Sequence, residues 1–318
     1  MLFLFLMLLI PTNTLWAQPI TTLPNPYLQN KNTAGEKLFY VPGTGSVETT
    51  TGKVILKPGL MMLLLSDYDV PKVELPGTYF DLMDTAGTRP DTGMHFDYRF
   101  YTFNATGELL YHPFPFDNGL DYWKEGRRRF IEGEKMGLIN RFGQRIVPAE
   151  RYSFVLPVRK GYTIGCRNCV FTIFDSTDKE HGYSWAGTQY EVLSPDGQVL
   201  YPLKTANPDS EATTLAIRRQ YKNEKVVKRL QAQLQKLPET SKSIAHLEMP
   251  VSAFHYVCYD EPGALSPYYH FGLEDTAGND WGSRLQFLVS PDGKQILHLT
   301  PELEKITPYA LWRKQKED

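Results

Sequence analysis

The sharpest concentration of reactive side chains in the sequence is Cys166-Arg167-Asn168-Cys169. Two cysteines at that spacing can close a small disulfide, supply half of a metal site or act as a redox pair. A structural zinc site needs four ligands, and His181, His246, His255 and Cys258 are scattered, so neither a metal nor a cofactor is expected. A redox pair of the thioredoxin kind opens a helix, whereas here the strand-like run Val170-Phe171-Thr172-Ile173-Phe174 follows. A local disulfide between Cys166 and Cys169 is the expected state. A redox or metal module built on the pair is kept as an alternative.

Three further features carry possible chemistry. Asp91-Thr92-Gly93 copies the acid-protease tripeptide, in which two carboxylates share a proton. Arg89-Pro90 before it and Met94 after it are the wrong flanks, and a solvated turn accounts for it. Arg218, Lys222, Lys225 and Arg229 fall at steps of four, three and four, one cationic stripe if the segment is helical. Such a stripe can dock an acidic partner or simply face water. Trp123, Tyr152 and Trp185 stand near turns and are candidates for a recognition surface, with Trp123 and Trp185 expected to be exposed. Catalytic residues are not assigned. Phosphate-cradling glycine loops, a nucleophile elbow and a zincin helix are all missing from the sequence. Asn104-Ala105-Thr106 fits a glycosylation acceptor, but a hairpin turn explains those residues as well.

The elements that position these groups follow from turn chemistry. One pattern recurs: an apolar run, a turn with Gly, a polar residue, a second apolar run and then Pro. It reads Thr51-Gly52-Lys53-Val54-Ile55-Leu56, Thr106-Gly107-Glu108-Leu109-Leu110-Tyr111 and Phe142-Gly143-Gln144-Arg145-Ile146-Val147. It returns as Asp196-Gly197-Gln198-Val199-Leu200-Tyr201 and Asp292-Gly293-Lys294-Gln295-Ile296-Leu297, with a weaker copy at Thr85-Ala86-Gly87. Glycine accepts a positive φ without steric cost, alternation buries one face of each strand, and proline ends the ladder. The spacing is irregular, which describes a degenerate repeat with insertions.

The segment from Asp209 to Leu237 breaks that pattern. It lacks Gly and Pro, Asp209 or Ser210 can cap it, and Val226, Val227, Leu230, Leu234 and Leu237 recur at helical steps before Pro238. Strand candidates follow at His255 to Tyr259, Tyr268 to Leu273, Leu285 to Ser290 and Gln295 to Leu299. The fold class is therefore mainly β: degenerate antiparallel β-hairpin repeats, then a long helix and a C-terminal α+β region. The boundaries read 1–17 signal peptide, 18–35 disordered leader, 36–205 β-rich domain and 206–318 helix plus sheet, the last of which could equally be the end of one continuous domain.

The stretch from about Phe116 to Cys169 resembles the WG-repeat (KWG) family. Tyr122, Trp123, Glu125 and Gly126 match the first part of its pattern, and Lys135, Gly137, Leu138 and Ile139 the second. Gly143, Ile146, Val147, Pro148, Tyr152 and Gly161 complete it. Met136 stands where the naming Trp belongs, and Ser153 replaces an acidic residue. The resemblance implies a β-rich interaction or ligand-binding module, with no catalytic residues to transfer.

Composition sets the remaining limits. The chain has 34 Lys+Arg against 36 Asp+Glu, a balance that offers no cationic excess for nucleic acid. Residues 2–10 are an apolar run closed by Pro11, shorter than the roughly 20 residues of a membrane span, with Ala17 at a plausible cleavage point. An exported protein, periplasmic or extracellular and without a membrane span, is expected. Its expected role is non-catalytic binding of a protein or glycan at the cell envelope. An exported hydrolase with a carboxylate/His site is the alternative.

Overall fold

The computed structural model describes residues 36–62, 70–75, 79–84, 100–116, 119–173, 183–203, 221–244, 250–263, 266–276, 285–300 and 305–315. The expected signal peptide, the leader, Asp91-Thr92-Gly93, Arg218 and the Thr85-Ala86-Gly87 turn lie outside them.

The described chain is mainly β, and every pairing is antiparallel. Strands β1 (Leu38–Val41), β2 (Ser46–Thr49), β3 (Val54–Leu56) and β5 (Val73–Glu74) form one sheet in the order β3-β2-β1-β5. A seven-stranded sheet gathers β4 (Leu60–Met62), β6 (Tyr79–Asp84), β7 (Phe100–Asn104), β8 (Leu109–Pro113), β11 (Arg127–Glu132), β12 (Lys135–Asn140) and β13 (Arg145–Val147). The short pair β9 (Pro115–Phe116) and β10 (Gly119–Leu120) sits between β8 and β11. A third sheet runs β14 (Phe154–Val155), β15 (Thr163–Cys166), β18 (Tyr190–Leu193), β19 (Val199–Leu203), and the hairpin β16 (Val170–Ile173)–β17 (Tyr183–Ala186) is inserted between β15 and β18. The last sheet takes β20 (Phe254–Asp260), β21 (Tyr269–Asp275), β22 (Gln286–Val289), β23 (Ile296–Thr300) and β24 (Lys305–Pro308) in sequence order.

Five glycine turns share one construction. Gly52, Gly107, Gly143, Gly197 and Gly293 have φ of 82, 78, 78, 75 and 77°, the left-handed region that glycine enters without penalty. In each, the glycine N–H donates to the carbonyl three residues back, at Thr49, Asn104, Asn140, Ser194 and Ser290, over 2.8–3.0 Å. Side-chain oxygens of the same five residues accept a backbone N–H on the far side of the turn: Lys53, Glu108, Gln144, Gln198 and Gln295. A short polar side chain that imitates a backbone acceptor is what makes Thr, Asn and Ser suit this position. Each turn joins the second and third strands of a three-stranded meander: β1-β2-β3, β6-β7-β8, β11-β12-β13, β15-β18-β19 and β21-β22-β23.

A long helix over 209–237 is not shown: among the described residues that range holds one short helix, and a second short one follows it. Helix α1 (Glu224–Leu234) is capped by Asn223, whose side chain accepts from Val226 N, and Glu261 binds the N–H groups of Lys222 and Asn223 ahead of it. Residues 209–220 lie outside the description. The helix ends ahead of Pro238, as expected, and Pro238 opens α2 (Pro238–Ile244), because the first helical position needs no N–H. A third helix, α3 (Tyr309–Gln315), closes the described chain.

Val227, Leu230 and Leu234 of α1 pack with Phe254, Tyr256, Phe271, Phe287 and Trp312 into the C-terminal core. Separate apolar clusters fill the first sheet and the β12–β18 region. The two parts are not independent. Arg127 of β11 reaches Asp260 of β20 at 2.9 Å and also donates to the carbonyls of Pro195 and Tyr259, crossing the boundary expected near residue 205.

Candidate binding surface

A continuous series of ring contacts runs over the middle of the chain. Tyr122 and Phe116 meet edge to face at 6.0 Å. The Arg129 guanidinium lies over both Phe116, at 5.4 Å, and Phe114, at 4.4 Å. Phe114 meets Phe154 at 6.4 Å, Phe154 stacks on Trp185 at 5.2 Å, and Phe171 approaches Trp185 edge-on at 5.5 Å. The strands dictate this order. Phe171 and Trp185 are directly paired across β16–β17, and Phe116 is carried by the β9–β10 pair beside Arg129 of β11.

The Tyr122–Phe116 end of the series is open and the rest is half-buried. Tyr122 is 60% exposed and Phe116 45%, while Phe114, Phe154, Phe171 and Trp185 are partly covered. Aromatic rings that show one edge or face to water, each already fixed by its neighbours, lose little side-chain entropy on contact. Arg129 adds no net charge here. Asp121 takes its guanidinium at 2.6 and 2.9 Å and its backbone N–H at 3.0 Å.

The residues expected from sequence are distributed unequally over this surface. Trp185 belongs to it, half-buried. Trp123, expected to be exposed, is half-buried: Arg141 lies over its ring at 4.4 Å, Arg128 at 5.4 Å, and Tyr79 packs at 5.7 Å. Tyr152 is fully buried and leaves the list of contact residues. Its ring fills the space over Gly165, and its hydroxyl donates to Glu191 at 2.6 Å. Burial and the Glu191 carboxylate hold that hydroxyl above the ordinary tyrosine range.

Among the described residues only part of the cationic stripe lies on a helix. Lys222 precedes α1, and only Lys225 and Arg229 share it, both exposed. Arg229 turns its guanidinium to the carbonyls of Pro291 and Asp292, which ties the helix to the β22–β23 turn. Cys166 and Cys169 are joined in a disulfide with Cα atoms 5.6 Å apart, and both are buried, while Cys258 is a buried thiol whose Sγ donates to the Asp260 carbonyl at 3.3 Å. Asn104 uses its side-chain oxygen to accept from Thr106 and Glu108, as the turn reading requires.

Sequence reasoning missed the buried charges. Arg127, Arg128 and Arg129, three consecutive cations, are all buried on β11. Arg128 pairs with Asp81 at 2.8 Å and Arg129 with Asp121. Arg127 pairs with Asp260, whose second oxygen faces His270 Nδ1 at 3.4 Å, and His270 Nε2 faces Gln286 at 2.9 Å. Burial works against the Asp260 charge, yet Arg127 and His270 keep its carboxyl below the usual range. Burial pushes His270 the other way, below its ordinary value, and Asp260 only partly offsets this. His270 is sealed from solvent, so the network is a structural tie.

Compared with known proteins, the chain matches no family model and no curated protein.

Proposed function

We propose that the protein is an exported, non-catalytic binding protein of the cell envelope, which grips a protein or glycan partner through the aromatic series from Tyr122 to Phe171. The observation that carries this reading is the run of linked, partly exposed rings, presented by paired strands and free of net charge at Arg129. The apolar run at residues 2–10 supports export, and no described helix is long and apolar enough to cross a membrane.

Kinship with WG-repeat proteins belongs to the same proposal. It is supported by the five alike turns and by how pieces of the matching pattern meet. The Glu125 carboxylate accepts from Gly161 N at 2.9 Å, so the Glu-Gly step touches the glycine that ends the pattern. Gly137 has no room for a side chain, since a Cβ would lie 2.3 Å from the Val147 carbonyl and 2.5 Å from the Phe130 ring. Met136 occupies the naming Trp position as a fully buried core residue.

Affinity electrophoresis through gels containing envelope polysaccharide, and capture of envelope proteins on immobilised protein, test the role of the series. Wild type is expected to be retarded or to capture a defined partner. Phe116→Ala with Tyr122→Ala, on the exposed rings, is expected to remove that interaction while the melting curve is kept; Trp185→Ala is expected to remove it too, at a cost in stability, because Trp185 packs against two core clusters. Equal binding by these variants ends the proposal.

A further inference from the structure

Beside the aromatic series, but built from other residues, a second arrangement has the chemistry of a ligand site. Glu191, on the inner strand β18, is the centre of it. Its carboxylate is fixed by the Tyr152 hydroxyl at 2.6 Å and takes Arg151 Nη2 at 3.2 Å on one oxygen and Arg167 Nη2 at 2.7 Å on the other. Both arginines remain open, with side chains 36% and 43% exposed. Each gives Glu191 one nitrogen and makes no other hydrogen bond through its guanidinium among the described residues.

The charges do not cancel. Two guanidiniums against one carboxylate leave one positive charge in excess. Lys135 adds another at the same corner, its Nζ 3.3 Å from the Ser153 hydroxyl, which itself donates to the Arg167 carbonyl at 2.9 Å. Glu134 and Glu150 are exposed next to these residues in the chain, but neither pairs with the arginines.

The backbone beneath is stiff. Arg167 sits inside the Cys166–Cys169 disulfide loop, and its N–H is bound by Gln189 O at 3.0 Å. Arg151 ends the 3-10 turn Ala149–Arg151, and its side chain lies over the Tyr152 ring at 5.3 Å. Two planar forks held by one buried-side anchor, with their remaining N–H groups facing water, are prearranged for an oxyanion.

We propose that Arg151 and Arg167 form a binding site for an oxyanion, a carboxylate or phosphate group, separate from the aromatic series. A sugar acid is favoured over an acidic peptide added as a strand. The backbone groups of the nearby edge are already taken: Tyr152 O accepts from Met136 N at 3.0 Å, and Val155 N donates to Met136 Sδ at 3.4 Å.

Titration calorimetry at low salt, with inorganic phosphate and with a short oligogalacturonate as separate probes, decides it. The methyl-esterified oligosaccharide is the uncharged control. Arg151→Gln and Arg167→Gln should each weaken acid-probe binding about tenfold, the usual size of one lost charge-assisted hydrogen bond. Lys228→Gln, an equal charge change on α1, should leave it unaltered. Both arginines are open to solvent, so the variants are expected to keep the wild-type melting temperature, and binding is read on folded protein. Tighter binding of oligogalacturonate than of phosphate assigns the site to a chain-borne carboxylate, and the reverse order assigns it to a small free anion. Absence of binding by both probes overturns the proposal, as does equal binding of the esterified sugar or equal loss in all three variants. None of these results bears on the aromatic series, which is read by its own variants.

Discussion

Asp260→Asn is the substitution that most directly tests how the chain is held together. Arg127 and Asp260 have side chains 2% and 9% exposed and are 2.9 Å apart, so neither charge has water as a substitute partner. The amide keeps the volume but leaves the guanidinium without a counter-charge. Removing one member of a buried pair costs about 3–5 kcal/mol. A domain with roughly 5–15 kcal/mol of stability would lose a large share of it.

Arg127→Met should cost less, because His270 lies against the second oxygen of Asp260 and can take a proton to balance it. That variant should therefore recover some stability on mild acidification. The double variant Arg127→Met with Asp260→Asn removes both charges, and its cost should fall below the sum of the single costs by about 2 kcal/mol, well beyond the roughly 0.5 kcal/mol scatter of additive sites. It will not reach zero, since Arg127 also serves the carbonyls of Pro195 and Tyr259. Urea unfolding followed by tryptophan fluorescence measures all three. A cost under about 1 kcal/mol for Asp260→Asn, or additive single costs, would refute the buried tie.

Other outcomes follow from the same geometry. His270 binds its proton less readily folded than unfolded, so the unfolded chain holds more protons below its ordinary value near 6.5; melting temperature should fall as pH drops through about 6.5, and His270→Gln should flatten that limb. Gly143→Ala meets nothing within 4 Å at φ 78° and should cost about 1–2 kcal/mol from backbone strain alone. Gly107→Ala has the same φ but places a Cβ 2.4 Å from Ile55, so its unfolding midpoint should shift clearly further. Gly137→Ala, blocked by the Val147 carbonyl and the Phe130 ring, should give little folded protein in a soluble-expression and circular dichroism assay.

The strands around the glycine turns were legible because their signal is local. Asn140 and Gly143 specify a turn by themselves: a side-chain oxygen caps the backbone and a missing Cβ permits the positive φ. The same holds for the C-terminal strands, where Phe254–Asp260 and Ile296–Thr300 lie within a residue or two of the sequence limits. The helix was less legible. Periodicity at Val227, Leu230 and Leu234 marks the buried face correctly, but its start is set by Asn223 and by Glu261, a carboxylate brought in from a later strand end. Length cannot be read from a stripe when the cap is tertiary.

The candidate sites show where local reading stops. Arg127-Arg128-Arg129 looks like a solvated run, yet each side chain is buried against a different acid: Asp260, Asp81 and Asp121. A usable signal was present, since three charges stand between Gly126 and Phe130-Ile131 in a strand whose two faces both had to be covered. Nothing in the spacing named the partners. The same limit explains Tyr152 and Trp123, which read as contact residues from type and position. The absence of a Cβ at Gly165 draws the Tyr152 ring inward, and arginines on two other strands or turns enclose Trp123. Phe116 and Tyr122 remain outside because the short β9–β10 pair is too small to bury them. Residue type thus tells which groups can bind, while exposure is decided by which strand runs out of neighbours.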